Sequence, residues 1–359
     1  MYDIAIIGAG PSGATLARLI GKRYRVLLID KRDFAEPTES KPYGKCCGGL
    51  LAPDAQRMLS KLGLGLPRHV LEEPQVFVVK AMDLQQGITR YYQRHYINMN
   101  RQRFDGWLLS LVPPEVDVRR GCRLQSYTAE KEYFRLKIEA VGKTFAEKTR
   151  ILVGADGAIS KVRLQSADKT RAPKKYFAIQ DWVEGDHQTP HFTSLFDREI
   201  TDYYCWTIPK GDCLIVGAAL QPGSGMTDRF ERLKRKLKAC GFEFGKTLFR
   251  EGTYVLRPVS TGQLYTGKDG IALLGEAAGW ISPSSAEGFS YAFKSALMLA
   301  QALKPSPEGF EKRYNRYSRK LRRNIFFKNL KSRFIFKPRL RKAVMRSGLQ
   351  SMKMVLPEE

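Results

Sequence analysis

The stretch that decides the fold is Met1-Tyr-Asp-Ile-Ala-Ile-Ile-Gly8-Ala-Gly10-Pro-Ser12-Gly13, which runs on through Ala14–Lys22 to Tyr24-Arg-Val-Leu-Leu-Ile-Asp30. Ile4–Ile7 is a short apolar run with β-branched residues that ends at a glycine, the pattern of a strand buried on both faces. Ser12 to Gly21 places Ala14, Leu16, Ala17, Leu19 and Ile20 at helical spacing among good helix formers. Val26–Ile29 is a second buried strand, with Asp30 at its end. The spacing therefore predicts a β-α-β unit with G-x-G-x-x-G at the strand-to-helix turn. Gly8 allows the tight turn, Gly10 lets a pyrophosphate approach the backbone, and Gly13 lets the helix pack on the strand. The helix N-terminus offers unpaired N–H groups and a partial positive charge to phosphates. Asp30 can accept hydrogen bonds from a ribose diol. A bare G-x-G-x-x-G is a weak signal, and an empty β-α turn would satisfy it. With the strand before it, the helix after it and the acid in place, dinucleotide binding is the expectation.

The remaining composition sets bounds. At 359 residues the chain has room for two domains, or one with a second inserted, and its 43% apolar content is ordinary for a globular protein. The net charge of +25 is not ordinary: Lys312–Lys353 holds sixteen Lys/Arg and no acid before Glu358 and Glu359. The six cysteines (46, 47, 122, 205, 213, 240) have neither a zinc-ligand spacing nor the density of a disulfide scaffold. No metal site and a reducing, cytoplasmic setting are expected. Asp3 precedes the first apolar run, which argues against a secretion signal, and no apolar stretch has the length of a bilayer span. A soluble or peripheral protein is expected.

After Asp30 comes a long loop rich in Pro, Gly and charge, Lys31 to Leu50, and loops of that length are often functional. Its Cys46-Cys47-Gly48-Gly49 suggests backbone pressed against something flat or large, with Lys41 and Lys45 placed to lower a thiol pKa. Small residues in an ordinary turn would explain it equally well. Pro53–Leu62 reads as a helix, and Glu73–Ala81 and Thr89–Tyr92 as strands. Asn100 caps a helix whose apolar face is 104, 107, 108 and 111. Arg101, in the first turn of that helix, opposes its dipole, and either a phosphate partner or solvation resolves the conflict. Val116–Val118, Leu124–Tyr127, Tyr133–Val141 and Lys143–Arg150 read as antiparallel strands and ribbon. They lead into a third buried strand ending in Gly154-Ala-Asp156-Gly157. Tyr176 to Tyr254 is strand-rich (Tyr176–Val183, His191–Phe196, Asp202–Ile208, Cys213–Ala219), interrupted by a helix over Thr227–Cys240. Ile271–Leu274 is a fourth buried strand ending in Gly275-Glu276-Ala-Ala-Gly279, followed by the small-residue helix Ser290–Leu303. The repeated Gly/acid turns mark strand ends, where open α/β sheets bind ligands.

Three features together resemble the FAD-dependent flavoproteins of the glutathione-reductase/aromatic-hydroxylase type: G-x-G-x-x-G with Asp30, the Gly-Ala-Asp156-Gly157 turn, and Gly275-Glu276-Ala-Ala-Gly279…Pro283…Gly288. Within them the chain looks like the geranylgeranyl reductase family, which carries a Cys-Gly loop after the ribose acid (here Cys47-Gly48) and a P-x-x-Y-x-W-x-F-P motif. Thr201-Asp-Tyr-Tyr204-Cys-Trp206-Thr-Ile208-Pro209 keeps Tyr, Trp and Pro in place and departs at Thr201 and Ile208. Gly48–Arg57 and Gly275–Tyr291 look especially like its bacterial CbrA-like subgroup.

The resemblance implies an α/β fold: a Rossmann-type FAD-binding domain (1–72, 95–165 and 260–305), an inserted mixed β-sheet substrate domain (73–94 and 166–259) and a basic helical tail (306–359). It implies that Gly8, Gly10, Ser12 and Gly13 hold the pyrophosphate, Asp30 the ribose and Arg101 the pyrophosphate again, with Leu124 by the adenine. The Asp156-Gly157 turn belongs to the same FAD site. Glu276 would reach the ribityl or pyrophosphate region, and Gly288 and Phe289 would present N–H groups to the flavin N1/O2 edge. Cys47-Gly48 would sit over the isoalloxazine. The implied reaction is hydride delivery from reduced flavin N5 to an isolated C=C bond of a prenyl or polyprenyl lipid, with NAD(P)H or a protein as electron donor. Such an alkene is unactivated, so the site needs dryness and a proton donor, for which Cys47, Tyr204 and water are candidates. Tyr204 and Trp206 share a strand face and could floor an apolar substrate channel, or simply pack the core.

The tail mixes helix with Tyr314, Tyr317, Phe326, Phe327, Phe334 and Phe336, which reads as a binder of anionic membrane surface at the inner face of the cell membrane. A solvated basic face and nucleic acid are the competing readings, the last needing the same electrostatics. For the reaction, the competitors are an aromatic-type FAD monooxygenase, a flavin halogenase (whose W-x-W-x-I-P lacks its first Trp here) and a flavin-binding membrane adaptor without turnover.

Overall fold

The computed structural model describes residues 1–34, 45–167, 171–185 and 191–355. Its opening unit is β1 (Tyr2–Ile7), α1 (Pro11–Ile20) and β2 (Val26–Ile29), with both strands buried nearly throughout. There follow β3 (Leu50–Leu51), α2 (Pro53–Lys61), β4 (Val76–Asp83), β5 (Ile88–Asn98) and α3 (Arg101–Ser110). Next come β6 (Asp117–Arg119), β7 (Cys122–Ala129), β8 (Phe134–Ala140), β9 (Lys143–Gly154) and α4 (Lys161–Ser166). The inserted region holds β10 (Lys174–Glu184), β11 (His191–Phe196), β12 (Cys205–Lys210), β13 (Cys213–Leu220), α5 (Met226–Ala239) and β14 (Thr247–Arg257). The chain ends with β15 (Ile271–Leu273), α6 (Phe289–Leu303), α7 (Phe310–Tyr317), α8 (Arg319–Phe336) and α9 (Pro338–Arg346).

The first sheet has the order β6-β2-β1-β9-β8-β7, with β15 on the other side of β9. β1 pairs in parallel with β2 and β9, and β9 with β15, so the strand ends at Gly8, Gly154 and Leu273 come out along one edge. β9 is a single strand with two characters. Its first half alternates exposed and half-buried residues in the ribbon with β8, and its last residues are fully buried beside β1. One expectation is corrected here: β6 is not part of the antiparallel ribbon but lies parallel to β2, with Leu27 opposite Asp117. The helix α3 supplies the crossover that a parallel neighbour requires. On one face of the sheet, α1 and α6 pack through Leu16, Ala17 and Ile20 against Ala296, Leu299 and Leu303.

The second sheet has the order β14-β10-β13-β12-β11-β4-β5-β3, antiparallel except between β11 and β4. Under it, α5 buries Phe230, Leu233 and Leu237. The edge strand β14 was not evident in the sequence, because Arg250, Glu251 and Gly252 interrupt any apolar alternation. Gly252 leaves room for a neighbour's ring: a Cβ there would lie 2.5 Å from Phe177 Cζ.

The basic tail straps the two sheets together. Phe310 and Tyr314 of α7 join the α1/α6 layer, and Leu321 and Ile325 of α8 join the core around Leu152 and Trp280. Phe336 and the α9 residue Met345 join Tyr176, Tyr203 and Trp206 of the second sheet. Buried Arg341 pairs with Asp83 of β4 at 2.8 Å, and Arg257 lies 4.4 Å from the ring centroids of both Tyr203 and Phe336. Among the described residues, no helix is long and apolar enough to cross a membrane.

Candidate active site

A cavity of about 640 Å³ runs from the β1–α1 turn to the second sheet. Its cofactor side is set by glycines that differ in what they serve. A Cβ at Gly8 would meet Ala155 O at 2.5 Å, and one at Gly13 would meet Gly8 O at 1.8 Å. Those two glycines are required by the protein's own packing, and Gly13 lies behind the cavity wall rather than in it. Gly10 differs. Its Cβ would come no closer to protein than 3.9 Å, to Arg32 Nη2, so the space above it is open at the N-terminus of α1. Ser12 is buried beside Gly275, whose φ of +51° brings its own Cβ position to 3.0 Å from Ser12 Oγ.

Around this opening stand three cations. Asp30 accepts the Ala9 N–H at 2.8 Å and is also gripped by Arg32, whose Nη2 lies 3.0 Å from Oδ2. Arg32 reaches on to Asp105 at 2.7 Å, and Arg101 meets the same carboxylate at 2.9 Å. The misplaced charge of Arg101 thus has a carboxylate partner one turn along α3, and its guanidinium also covers the Phe289 ring at 4.7 Å. Asn100 caps the helix as expected, accepting from the N–H groups of Gln102 and Arg103. The third cation is Lys45, whose pKa is lowered by burial and by Arg101. A ligand with two phosphates would answer this group, together with the open Gly10 and the helix N-terminus.

The other expected cofactor residues line the same cavity: Leu124, Asp156, Gly157, Glu276, Gly288 and Phe289. Asp156 accepts the Lys161 N–H at 2.7 Å, which fixes the start of α4. Glu276 accepts the Leu256 N–H at 2.7 Å, clipping β14 to the cofactor side, and burial raises its pKa against the pull of Lys45. Gly288 and Phe289 open α6, where the first-turn N–H groups have no helical acceptor.

The loop residues Cys47 and Gly48 lie between the two sides of the cavity. Cys47 Sγ accepts the Gly49 N–H at 3.4 Å. A Cβ on Gly48 would lie 2.4 Å from Ile208 Cδ1, so the Cys-Gly loop rests directly on the Tyr-x-Trp-x-Ile-Pro strand. Its neighbour Cys46 points to the Ala178 carbonyl, and burial raises its pKa. This reverses, for Cys46, the expectation of a thiol pKa lowered by nearby lysines. Lys41 lies outside the described residues.

On the far side, Tyr204 and Trp206 share a face with ring centroids 5.6 Å apart, and Phe192, Phe196 and Ile208 complete an apolar wall. The indole fits because Gly217 has no side chain: a Cβ there would be 2.3 Å from Trp206 Nε1. Trp206 Nε1 donates to Gln180 Oε1 at 3.3 Å, Gln180 donates to Glu251 at 2.6 Å, and Trp182 donates to the same carboxylate oxygen at 3.0 Å. The Tyr204 hydroxyl donates to the Ser285 carbonyl at 2.9 Å, and burial followed by the neighbouring Tyr203 raises its pKa well above that of free tyrosine.

Sequence reasoning missed Arg32, Lys210, Gln180 and Glu251. Arg32 stands two residues past the ribose acid and Lys210 directly follows Pro209, so both sat beside motifs that were recognised. Gln180 and Glu251 are paired across β10 and β14, and the second of those strands was not foreseen.

Comparison with known proteins agrees with this geometry. Residues 1–208 match the family model described as FAD binding domain. Protein CbrA of Escherichia coli O9:H4 (strain HS) is 43% identical over 348 residues, 97% of this chain and 94% of the relative. Among solved structures, a geranylgeranyl bacteriochlorophyll reductase-like protein from Thermoplasma acidophilum superposes with a TM-score of 0.78 at 19% identity, covering 96% of this chain and 90% of that one. PqsL of Pseudomonas aeruginosa, described as a probable FAD-dependent monooxygenase, gives 0.67 at 18% identity, covering 96% and 99%. At such identities the two structures establish the shared fold and nothing finer. The glycine turn, the cations beside it and the family match agree: the chain belongs to the FAD-binding-domain family and is an FAD-dependent oxidoreductase.

Proposed function

We propose that the protein reduces isolated C=C bonds of a prenyl or polyprenyl lipid, with NAD(P)H or a protein as the electron source. The observation that carries this reading is the composition of the cavity. A polar, cationic half lies at the Gly10 turn, and an aromatic and aliphatic half (Phe192, Tyr204, Trp206, Ile208) faces it across the Cys47-Gly48 loop. Bound FAD supplies the hydride. Gly10, Arg32, Lys45 and Arg101 would hold its charged middle, and Leu124 would border the other end.

The apolar wall binds the chain of the lipid and excludes water from the double bond, which an unactivated alkene requires. For the proton, the surroundings favour Cys47 over Tyr204. The tyrosine hydroxyl is committed to Ser285 O and is a weak acid there, whereas Cys47 Sγ accepts a hydrogen bond from Gly49 N. Trp206, held by Gln180 and the notch at Gly217, positions the chain. The Thermoplasma neighbour, described as geranylgeranyl bacteriochlorophyll reductase-like, lends this reading support from the fold alone.

The test is anaerobic reduction of the holoprotein with a long-chain prenyl lipid present. Flavin reoxidation with a product two hydrogens heavier supports the reading. An oxygenated product formed only in air would replace it with monooxygenation, and no reoxidation by the lipid under nitrogen together with no oxygenated product in air would leave a flavin-binding protein without this turnover.

A further inference from the structure

Helix α8 buries one stripe, Leu321, Ile325, Ser332 and Phe336, against the two sheets. An ordinary surface helix is polar on the rest of its circumference. This one carries a second apolar stripe: Phe326 (57% exposed), Phe327 (58%), Leu330 and Phe334 recur at helical spacing on the outside. Leu340 and Val344 extend the exposed apolar surface into α9. Solvent does not account for two adjacent phenylalanines more than half exposed, and contiguous exposed apolar surface marks an interaction site.

The charges around the stripe identify its occupant. Arg323, Lys331 and Arg333 on the same helix, and Lys337 directly after it, are exposed within a segment, Lys312–Lys353, that contains no acid. Within that segment, and among the described residues, only Arg341 is in an ion pair, with Asp83 at 2.8 Å. A second copy of the chain would bring two such cationic faces together, which electrostatic repulsion opposes. Duplex nucleic acid would satisfy the cations and leave the phenylalanines in water, and a single strand stacked on the rings would still leave Leu330, Leu340 and Val344 in water. A bilayer of anionic lipid satisfies both: aromatic rings seat at the headgroup–acyl boundary, while Lys and Arg extend to the phosphates around them.

We propose that the outer stripe of α8, Phe326, Phe327, Leu330 and Phe334, docks the protein on the surface of an anionic bilayer. The docking also orients the cavity. Lys328, next in sequence to Phe327, lines the cavity wall together with Arg94 and Tyr96. The cavity therefore reaches the docked helix, which would let a lipid pass from the leaflet toward Trp206. This last step rests on the lipid-reductase reading; the docking itself does not.

The experiment is co-sedimentation of the FAD-loaded full chain with vesicles of phosphatidylglycerol and phosphatidylcholine, compared with phosphatidylcholine alone. The variants are F326S/F327S and R323Q/K331Q/K337Q. Wild type is expected to pellet with the anionic vesicles and at least tenfold more weakly with the neutral ones. F326S/F327S is expected to keep its flavin content and melting temperature and to lose vesicle affinity on the order of tenfold or more, since the apolar area that the rings would insert is gone. The triple variant is expected to lose the preference for anionic lipid. Unchanged pelleting of F326S/F327S overturns the proposal, as does a wild-type dimer that these substitutions convert to monomer. Binding to duplex DNA of the same strength as to vesicles, unaffected by F326S/F327S, also overturns it. Turnover of a detergent-dispersed prenyl lipid is measured in parallel. Vesicle binding without turnover would remove the reductase reading alone, and turnover without vesicle binding would remove the docking alone.

Discussion

Asp105 Oδ1 lies 2.9 Å from Arg101 Nε, one turn further along α3, at a carboxylate with no solvent exposure. The pair explains how a helix tolerates an arginine in its first turn, and Arg32 at 2.7 Å makes it a three-membered cluster. Burial works against the Asp105 charge, but Arg101 and Arg32 overcome it and hold the carboxyl pKa below its ordinary value. Asp105→Asn leaves two guanidiniums without their shared partner in a buried setting. A loss of about 3–5 kcal/mol in urea unfolding is expected. The sign with pH follows: a depressed carboxylate pKa stabilises above the unfolded value near 3.8 and is lost as pH falls through the lower folded value. Wild type should thus lose this part of its stability on acidification, while D105N lacks it throughout.

Gly10 is tested separately from the fold. Its backbone is extended (φ −73°, ψ −173°) and a Cβ would meet only Arg32 at 3.9 Å, so Gly10→Val is sterically acceptable to the protein itself. The added side chain occupies the phosphate space. Unchanged far-UV circular dichroism with loss of the flavin absorbance is the expected outcome, and a yellow G10V protein with full flavin content would contradict it.

Lys210 is 97% buried, with its ammonium donating to Met99 O at 2.8 Å and Gly49 O at 3.2 Å. Burial brings its pKa down to about 7, against the influence of Glu72 and Cys47. Between that value and the ordinary 10.5 the unfolded chain binds a proton that the native one does not, so this group makes stability rise with pH from about 7 to 10.5. Lys210→Met should abolish that rise, seen as melting temperature against pH. It should also loosen the Cys47-Gly48-Gly49 loop, read as a change in flavin fluorescence.

The buried Arg341–Asp83 pair ties the tail to the second sheet. Arg341→Met leaves Asp83 buried without its arginine, and a destabilisation of about 3–5 kcal/mol is expected by chemical denaturation. The double variant R341M/D83M should recover part of it, because the buried charge leaves together with its partner while the Gln85 and Gln86 N–H groups lose their acceptor.

The readable parts of this protein were those where one physical rule acts on neighbouring residues. β1, α1, β2 and α6 follow apolar periodicity, and the Asn100 cap follows local hydrogen bonding; all appear within a residue or two of expectation. The parts that escaped depend on partners distant in sequence. The parallel placement of β6 depends on the path of α3, and β14 owes its place to β10 rather than to its own pattern. In the site, the motif glycines were legible as a group, but which of them faces a ligand was not. That distinction rests on Ala155 crowding Gly8 and on the open space above Gly10. Arg101 shows the same limit: a missing countercharge was evident, while Asp105, four residues away and read only as part of a helix, supplies it.

The register that seats β9 against β1 joins Tyr2 to Thr149. A ribosome that has released β1 needs roughly 7–30 s, at ordinary rates of elongation, before its partner emerges. Throughout that interval the nascent chain presents a strand edge with apolar faces and no neighbour on one side, and β15 and the α8 strap arrive later still. Biosynthesis of this molecule therefore depends on shielding β1 for the time needed to translate on to Thr149. Synonymous codons that change elongation speed before residue 149 should alter its soluble yield without altering any residue of the finished protein.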